Sequence, residues 1–276
     1  MDKIDRELFS ALRRDGYAST EGIRKTEHGF SIDFTLDDAF DLLDVKITEL
    51  HKSSIQGKVY RFGYEFKSDV ASSDRSQLIK WIKGLLPDKP TPQELYQLIS
   101  APLALFDKEY NLASFDCVVY PDSLRSELVQ NIVKVANRAL QHDISRPTYR
   151  LVKQLPQDVE FDWDMFDSTF GEDKGSNRYN QMRQTIEKMM SALKQKTYFS
   201  IAESVKPKYR EYIKNYLTVE SEEEKKALAG LQSGKILIID DINTTGATID
   251  EILRVVQSIN SDCQIFIFTL IGKESE

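Results

Sequence analysis

Asp240 and Asp241 stand side by side at the end of an apolar run, and Asn243, Thr244, Thr245, Gly246, Ala247 and Thr248 follow within a few positions. Adjacent carboxylates repel anions, so they suit a partner that brings hydrogen-bond donors or positive charge, such as vicinal hydroxyls or a divalent cation. The loop suits the opposite partner. The hydroxyls of Thr244, Thr245 and Thr248 can donate to a phosphate, and Gly246 lets the backbone come close to it. A phosphorylated sugar with adjacent free hydroxyls carries both kinds of group on one molecule.

The elements that must position these groups can be read from the same stretch, "KILIIDDINTTGATIDEIL". Ile236 to Ile239 is a short, β-branched apolar run, which predicts a central strand covered on both faces. Ile249, Ile252, Leu253, Val256 and Ile259 share one helix face. Thr248 is the expected N-cap of that helix, with Glu251 completing a capping box. "CQIFIFTLI", starting at Cys263, predicts a second strand and hence a right-handed βαβ unit. The loop then lies at the carboxyl end of a strand, where open α/β sheets bind ligands, and at a helix N-terminus, which favours phosphate. Other phosphate-binding patterns fit less well. No Lys follows Gly246 as a Walker loop requires, Gly-x-Gly-x-x-Gly is absent, and a receiver domain needs more βα units than remain before Glu276.

The segment resembles the 5-phosphoribosyl 1-pyrophosphate (PRPP) binding motif of type I phosphoribosyltransferases. The resemblance implies that Asp240 and Asp241 hold the ribose hydroxyls and that Asn243 to Thr248 cradle the 5-phosphate. It also implies a fold, a mostly parallel sheet flanked by helices, over residues 91–276, preceded here by an α+β segment over residues 1–90. The family's pyrophosphate loop follows the first core strand, and "YPDSLRSEL" after the strand 116–120 holds that place with Asp122, Ser123, Leu124 and Arg125. The plainer reading is a strand-to-helix turn with Ser126 as its cap. In the family a cationic loop closes over PRPP, and "SVKPKYREYIKNYLTV" occupies that order along the chain, after an expected strand "TYFSIAES". Lys208 and Arg210 are its first candidates as catalytic groups and Lys206 the next; the plainer reading is a basic turn balancing "ESEEEKK". The implied reaction transfers phosphoribose from PRPP to a nitrogen acceptor, a nucleobase above all, with Mg²⁺ bound mainly through PRPP and no direct protein metal ligand expected. Asp241 could assist if the acceptor must lose a proton. The alternative is a PRPP-binding regulator without turnover, or a component of a stress or defence system.

The rest of the chain sets limits. A net charge of −7 argues against general nucleic-acid binding. The charged start "MDKIDRELFSALRRDG" shows no secretory signal, and no apolar run is long enough to span a membrane, so a cytoplasmic protein is expected. Cys117 and Cys263 both begin expected core strands, and His28, His51 and His142 have no metal-ligand spacing. "HGFSIDFTL" and "GKVYRFGYEFKSD" predict strands, while "LDDAFDLLDVKITELH" and "DRSQLIKWIKGLL" predict amphipathic helices. The prolines of "LLPDKPTPQEL" mark the expected domain boundary. Seven acids and no base between Asp158 and Asp173 predict a solvated loop, or alternatively a cover carrying Trp163, Phe166 and Phe170 over a base. A homodimer and a protein partner for the first 90 residues complete the expected partners, beside PRPP and a small acceptor.

Overall fold

The computed structural model of the chain describes residues 22–26, 29–33, 43–44, 50–66, 70–123, 126–138, 146–197, 200–231, 233–243 and 245–273. In chain order the elements are β1 (Gly22–Thr26), β2 (Gly29–Asp33), β3 (Leu43–Asp44), β4 (His51–Ile55), β5 (Lys58–Phe66), α1 (Ser72–Ile82), α2 (Pro92–Tyr110), β6 (Cys117–Pro121), α3 (Leu128–Arg138), β7 (Thr148–Lys153), β8 (Glu160–Phe161), α4 (Trp163–Thr169), α5 (Asn177–Lys194), α6 (Ile201–Ser204), β9 (Ile213–Lys214), β10 (Leu217–Val219), α7 (Glu222–Ala229), β11 (Lys235–Ile242), α8 (Ala247–Ile259) and β12 (Gln264–Gly272). They form two compact bodies, one of residues 1–149, 231–244 and 262–276, the other of residues 150–230 and 245–261.

The first body is built on a sheet whose strands run β7-β6-β11-β12-β5-β3, with β4 beside β5. Its centre is parallel: β11 pairs with both β6 and β12, and β12 pairs with β5, while β3 and β4 lie antiparallel to β5. The fully buried run of Ile236 to Ile239 is what such a central strand requires. Leu78 and Trp81 of α1, Leu98 and Phe106 of α2, and Ile132 of α3 pack with Leu237, Ile239 and Phe268 in one apolar core. The chain is thus α/β, with a parallel-centred sheet and flanking helices.

The contact between β5 and α2 depends on two adjacent residues. A side chain at Gly63 would come within 2.6 Å of Pro102 Cβ, so glycine lets strand and helix approach there. Pro102 lies inside α2 and has no N–H to give the carbonyl of Leu98, four residues back. The Tyr64 hydroxyl donates to that carbonyl instead, at 2.8 Å. α2 starts with a full capping box, Thr91 with Glu94, and Pro92 stands in its first turn. The proline-bearing stretch expected as a boundary therefore lies inside the first body, between α1 and α2. Residues before it supply β5, an interior strand of the sheet.

In the second body the later residues of β7 pair antiparallel with β10, and β8 pairs with β9. Phe166, fully buried, is ringed by Phe161, Trp163, Phe170, Tyr179 and Tyr212. The acidic stretch is therefore no plain solvated loop. Its acids point outward from short helices whose aromatic residues close a core, and Phe166 is packed too deeply to serve as an exposed stacking face.

Two expected elements differ. Leu43–Asp44 and His51 belong to strands rather than to an amphipathic helix, because pairing with β5 outweighs local helical spacing; the rest of that segment lies mostly outside the described residues. Ile201–Ser204 forms a helical turn rather than the end of a strand, while residues 198–199 are not described. His28 and His142 also lie outside the described residues, and His51 stacks on Phe62.

Replacing Tyr64 by Phe leaves the Leu98 carbonyl buried without a donor. Chemical denaturation should show a loss of about 1–3 kcal/mol. Gly171→Ala, where nothing lies within 4 Å of the added carbon, should stay within about 0.5 kcal/mol of the parent.

Candidate functional site

β11 carries Asp240 and Asp241 as its last residues but one, both buried at 5% and 4% exposure. Asp240 stands opposite Thr269 of β12 in the parallel register, and its Oδ1 accepts from the Asp241 N–H at 2.8 Å. Thr269 in turn shares a hydrogen bond of 2.9 Å with the buried hydroxyl of Tyr60, whose pKa burial pushes up to about 12, so it stays protonated. A side chain at Gly272 would collide with Tyr60 and Phe62, which keeps that end of β12 bare.

Lys83, the C-cap of α1, places its Nζ 2.8 Å from Asp241 Oδ2. Burial pulls the Lys83 pKa down, yet the charges of Asp241 and Asp240 outweigh it and hold the group above its ordinary value. Asp240 fares differently. Burial first, then the neighbouring charge of Asp241, raises its carboxyl to about 7 against the opposing pull of Lys83. One ammonium therefore faces two carboxylates, and the unbalanced charge falls on Asp240. Sequence reading missed Lys83, because it lies more than 150 positions from its partner inside an ordinary amphipathic helix; only the fold brings it to the acids.

Asn243 stays with the first body, Thr244 lies outside the described residues, and the motif from Thr245 onward belongs to the second body. The cap of α8 differs from the one the sequence suggests. Gly246 is the N-cap, in the left-handed region at φ 78°, and Ala247 opens the helix, so Thr248 sits in the first turn. No side chain caps this end. Glu251, expected to close a capping box, instead accepts from the backbone N–H groups of Tyr216 and Leu217 at 2.8 and 3.2 Å and pairs with Arg254. Tyr216 also donates its hydroxyl to the Ala247 carbonyl at 2.8 Å, fixing the start of α8. Thr245 is exposed, Thr248 and Asn243 half-buried.

The turn after β6 is described only in part, since Leu124 and Arg125 lie outside the described residues. The Asp122 carboxylate accepts from Gln130, and the Ser126 Oγ accepts from the Leu128 N–H, which is the capping role of the plainer reading. In the basic stretch, Tyr209 and Tyr212 are buried and anchor a short 3-10 turn, from which Lys206 and Lys208 project into solvent. Lys208 lies over the Tyr209 ring. Arg210 is half-buried and donates to the Val205 carbonyl at 3.1 Å; burial lowers its pKa. Lys214 pairs with Asp162.

Among the described residues, no three His, Cys, Asp or Glu side chains gather to hold a metal ion. Two carboxylates, one already paired with Lys83, fall short of the oxygen shell that Mg²⁺ prefers, so a cation here would depend on ligand oxygens. Cys117 and Cys263 are free and buried. Burial pushes the Cys117 thiol up to about 12 and raises Cys263 as well, which makes both poor nucleophiles. No helix among the described residues is long and apolar enough to cross a membrane. Compared with known proteins, the chain matches no family model and no curated sequence.

The charge imbalance has a measurable sign. The Asp240 carboxyl titrates in the folded protein near 7, above its unfolded value of about 4, so the folded state holds a proton that the unfolded chain has released between them. Stability of the ligand-free protein should fall as pH rises through that window. Asp240→Asn should flatten the fall and raise stability near pH 8 by at least about 1 kcal/mol, as read by urea titration at about pH 5 and about pH 8.

Proposed function

We propose that the chain is a phosphoribosyltransferase of the type I kind, binding PRPP and passing its phosphoribosyl group to a nitrogen acceptor with release of pyrophosphate. The observation that carries this reading is the pair of buried carboxylates at the end of a central parallel strand, matched among the described residues by a single ammonium. Such a pair lacks positive charge or donors, and the 2- and 3-hydroxyls of a ribose supply two donors side by side. Asp240 and Asp241 would accept from them. Thr244, Thr245 and Thr248, with the uncapped first turn of α8, would donate to the 5-phosphate. The resemblance of the motif gives the same roles to the same residues.

In the reaction the C1–O bond of the ribose breaks, its electron pair leaves with pyrophosphate, and the acceptor nitrogen bonds to C1 with inversion. Mg²⁺, when bound, supplies charge neutralisation to the diphosphate. The acid pair holds the ring so that C1 presents one face. Lys208, which projects into solvent, and Arg210, once released from Val205, would cover the diphosphate and keep water from the electron-poor carbon. A reducing, cytoplasmic setting fits the two free thiols.

A regulator that binds PRPP without turning it over is the second reading. It is favoured by the turn after β6, where Ser126 is spent on capping and Asp122 adds negative charge.

Calorimetric titration with PRPP and Mg²⁺, against ribose 5-phosphate, is the direct test. Binding that requires the diphosphate supports the transferase, and no binding of PRPP overturns it. The double variant Asp240→Asn, Asp241→Asn should keep its fold and lose PRPP binding by at least about a hundredfold, two charge-assisted hydrogen bonds being worth roughly 1.5–3 kcal/mol each. Lys208→Ala should reduce the rate of pyrophosphate release about tenfold or more while changing PRPP affinity much less.

A further inference from the structure

Lys83 reaches the acid pair from a fixed position. It is the C-cap of α1, preceded by the buried Trp81 and Ile82 and followed by Gly84, which lies in the left-handed region at φ 69°. The Gly84 N–H donates to the Trp81 carbonyl at 2.9 Å and the Leu85 N–H to that of Lys80 at 2.8 Å, the two bonds of a Schellman end. The backbone on both sides of Lys83 is thereby set, and its Nζ ends 2.8 Å from Asp241 Oδ2, on a side chain buried at the end of β11. Among the described residues Asp240 makes no ion pair of its own, and its Oδ1 takes the Asp241 N–H.

We propose that Lys83 is a positioning residue for the sugar: fixed on Asp241, it divides the acid pair into a carboxylate that stays in place and a carboxyl, Asp240, whose proton the sugar's hydroxyls displace. The inference rests on the PRPP reading above and concerns how that same site is filled. Two buried carboxylates beside one ammonium leave one negative charge over. A proton on Asp240 cancels it, in keeping with a carboxyl that burial and the Asp241 charge raise to about 7. Adjacent hydroxyls bring two donors, and each needs an acceptor, which a protonated oxygen is not. The sugar therefore binds the pair with Asp240 deprotonated, and one proton passes from its carboxyl to the solvent. Without Lys83 two like charges would stand alone in the dry end of β11, and the pair would hold that proton to higher pH.

The other described groups that bear on Asp240 are neutral near pH 7. The Tyr60 hydroxyl, brought by β5, keeps its proton up to about 12, and Thr269 of β12 stands across the ladder. Lys83 itself stays charged, held above its ordinary value by the two acids. The proton of the empty site thus belongs to Asp240, Asp241 and Lys83 together.

The test measures PRPP affinity with Mg²⁺ by calorimetry from about pH 6 to about pH 9, in the full chain and in Lys83→Met, which keeps an apolar stem and removes the charge. The phosphates of PRPP titrate alike in both, so the difference between the two profiles belongs to the protein. Lys83→Met should move the rise in affinity by about one pH unit or more to the alkaline side. It should then bind about tenfold or more weakly than the parent near pH 7, with the gap narrowing toward about pH 9. Lys83→Arg should restore the parent profile. A merely structural role would lower affinity evenly, so parallel profiles overturn the proposal. Tighter binding by Lys83→Met at every pH also overturns it, because the lysine would then only block the site. Lys83→Gln makes the same comparison if the Met variant does not fold. A ligand-free arm keeps this idea apart from the PRPP reading. In carboxyl-carbon NMR, the resonance that titrates at about 7, identified by its loss in Asp240→Asn, should titrate about one unit or more higher in Lys83→Met. An unmoved titration overturns the role of Lys83 whether or not PRPP binds. A moved titration with no PRPP binding by the parent overturns the transferase, and the displacement of the proton by a sugar with it.

Discussion

Two carboxylates and one ammonium, all largely withdrawn from water, form the contact on which the candidate site turns. Asp241 meets Lys83 directly, and Asp240 is left with a backbone N–H and the residual field of the pair. In water such an arrangement would be unremarkable, because the solvent screens like charges. Inside the sheet it is unfavourable for the empty protein, and burial shifts the cost onto the protonation of Asp240. A site of this kind works against the stability of its own fold until something supplies donors, and that opposition is what makes it informative about its ligand.

The rest of the first body can be understood as the means of holding that contact. β11 must be central so that its end is dry, and its four consecutive apolar residues make it so. Lys83 must arrive from one direction, and it does because Leu78, Trp81 and Ile82 sink the last turns of α1 into the core just before it. The placement of α2 depends on Pro102 and Tyr64, where a side chain repairs a backbone bond that proline cannot make. In the second body Glu251 and Tyr216 do comparable work, tying the first turns of α8 to the approach to β10.

The sequence made some of this legible and hid the rest for definite reasons. Strand β11, helix α8, strand β12 and the strand–turn–helix around β6 could be read because their periodicity is strong and local. The cap of α8 was misplaced because threonine and glutamate at capping-box spacing are good local evidence, while the left-handed glycine that starts the helix and the distant N–H groups that claim Glu251 are set by tertiary structure. The acidic segment looked solvated because its charges outnumber its rings in sequence, though the rings point inward. Lys83 could not have been found by pattern at all, since an amphipathic helix always has lysines and only one of them stands over an acid.

Strand β5 has a consequence for how this chain could be divided. It lies parallel beside β12 along Val59–Glu65, and beyond it on that side, among the described residues, stands the short cover of β3 and β4. A chain trimmed to begin after Pro90 would keep β11, its acid pair and α8 and lose β5. Phe266, Ile267, Phe268 and Ile271 would then lie on a bare edge, with the ladder bonds of a nine-residue strand open to any other extended segment. Such a fragment would be prone to self-association, and would reveal that the segment carrying no motif is what keeps the motif's sheet from meeting its own kind.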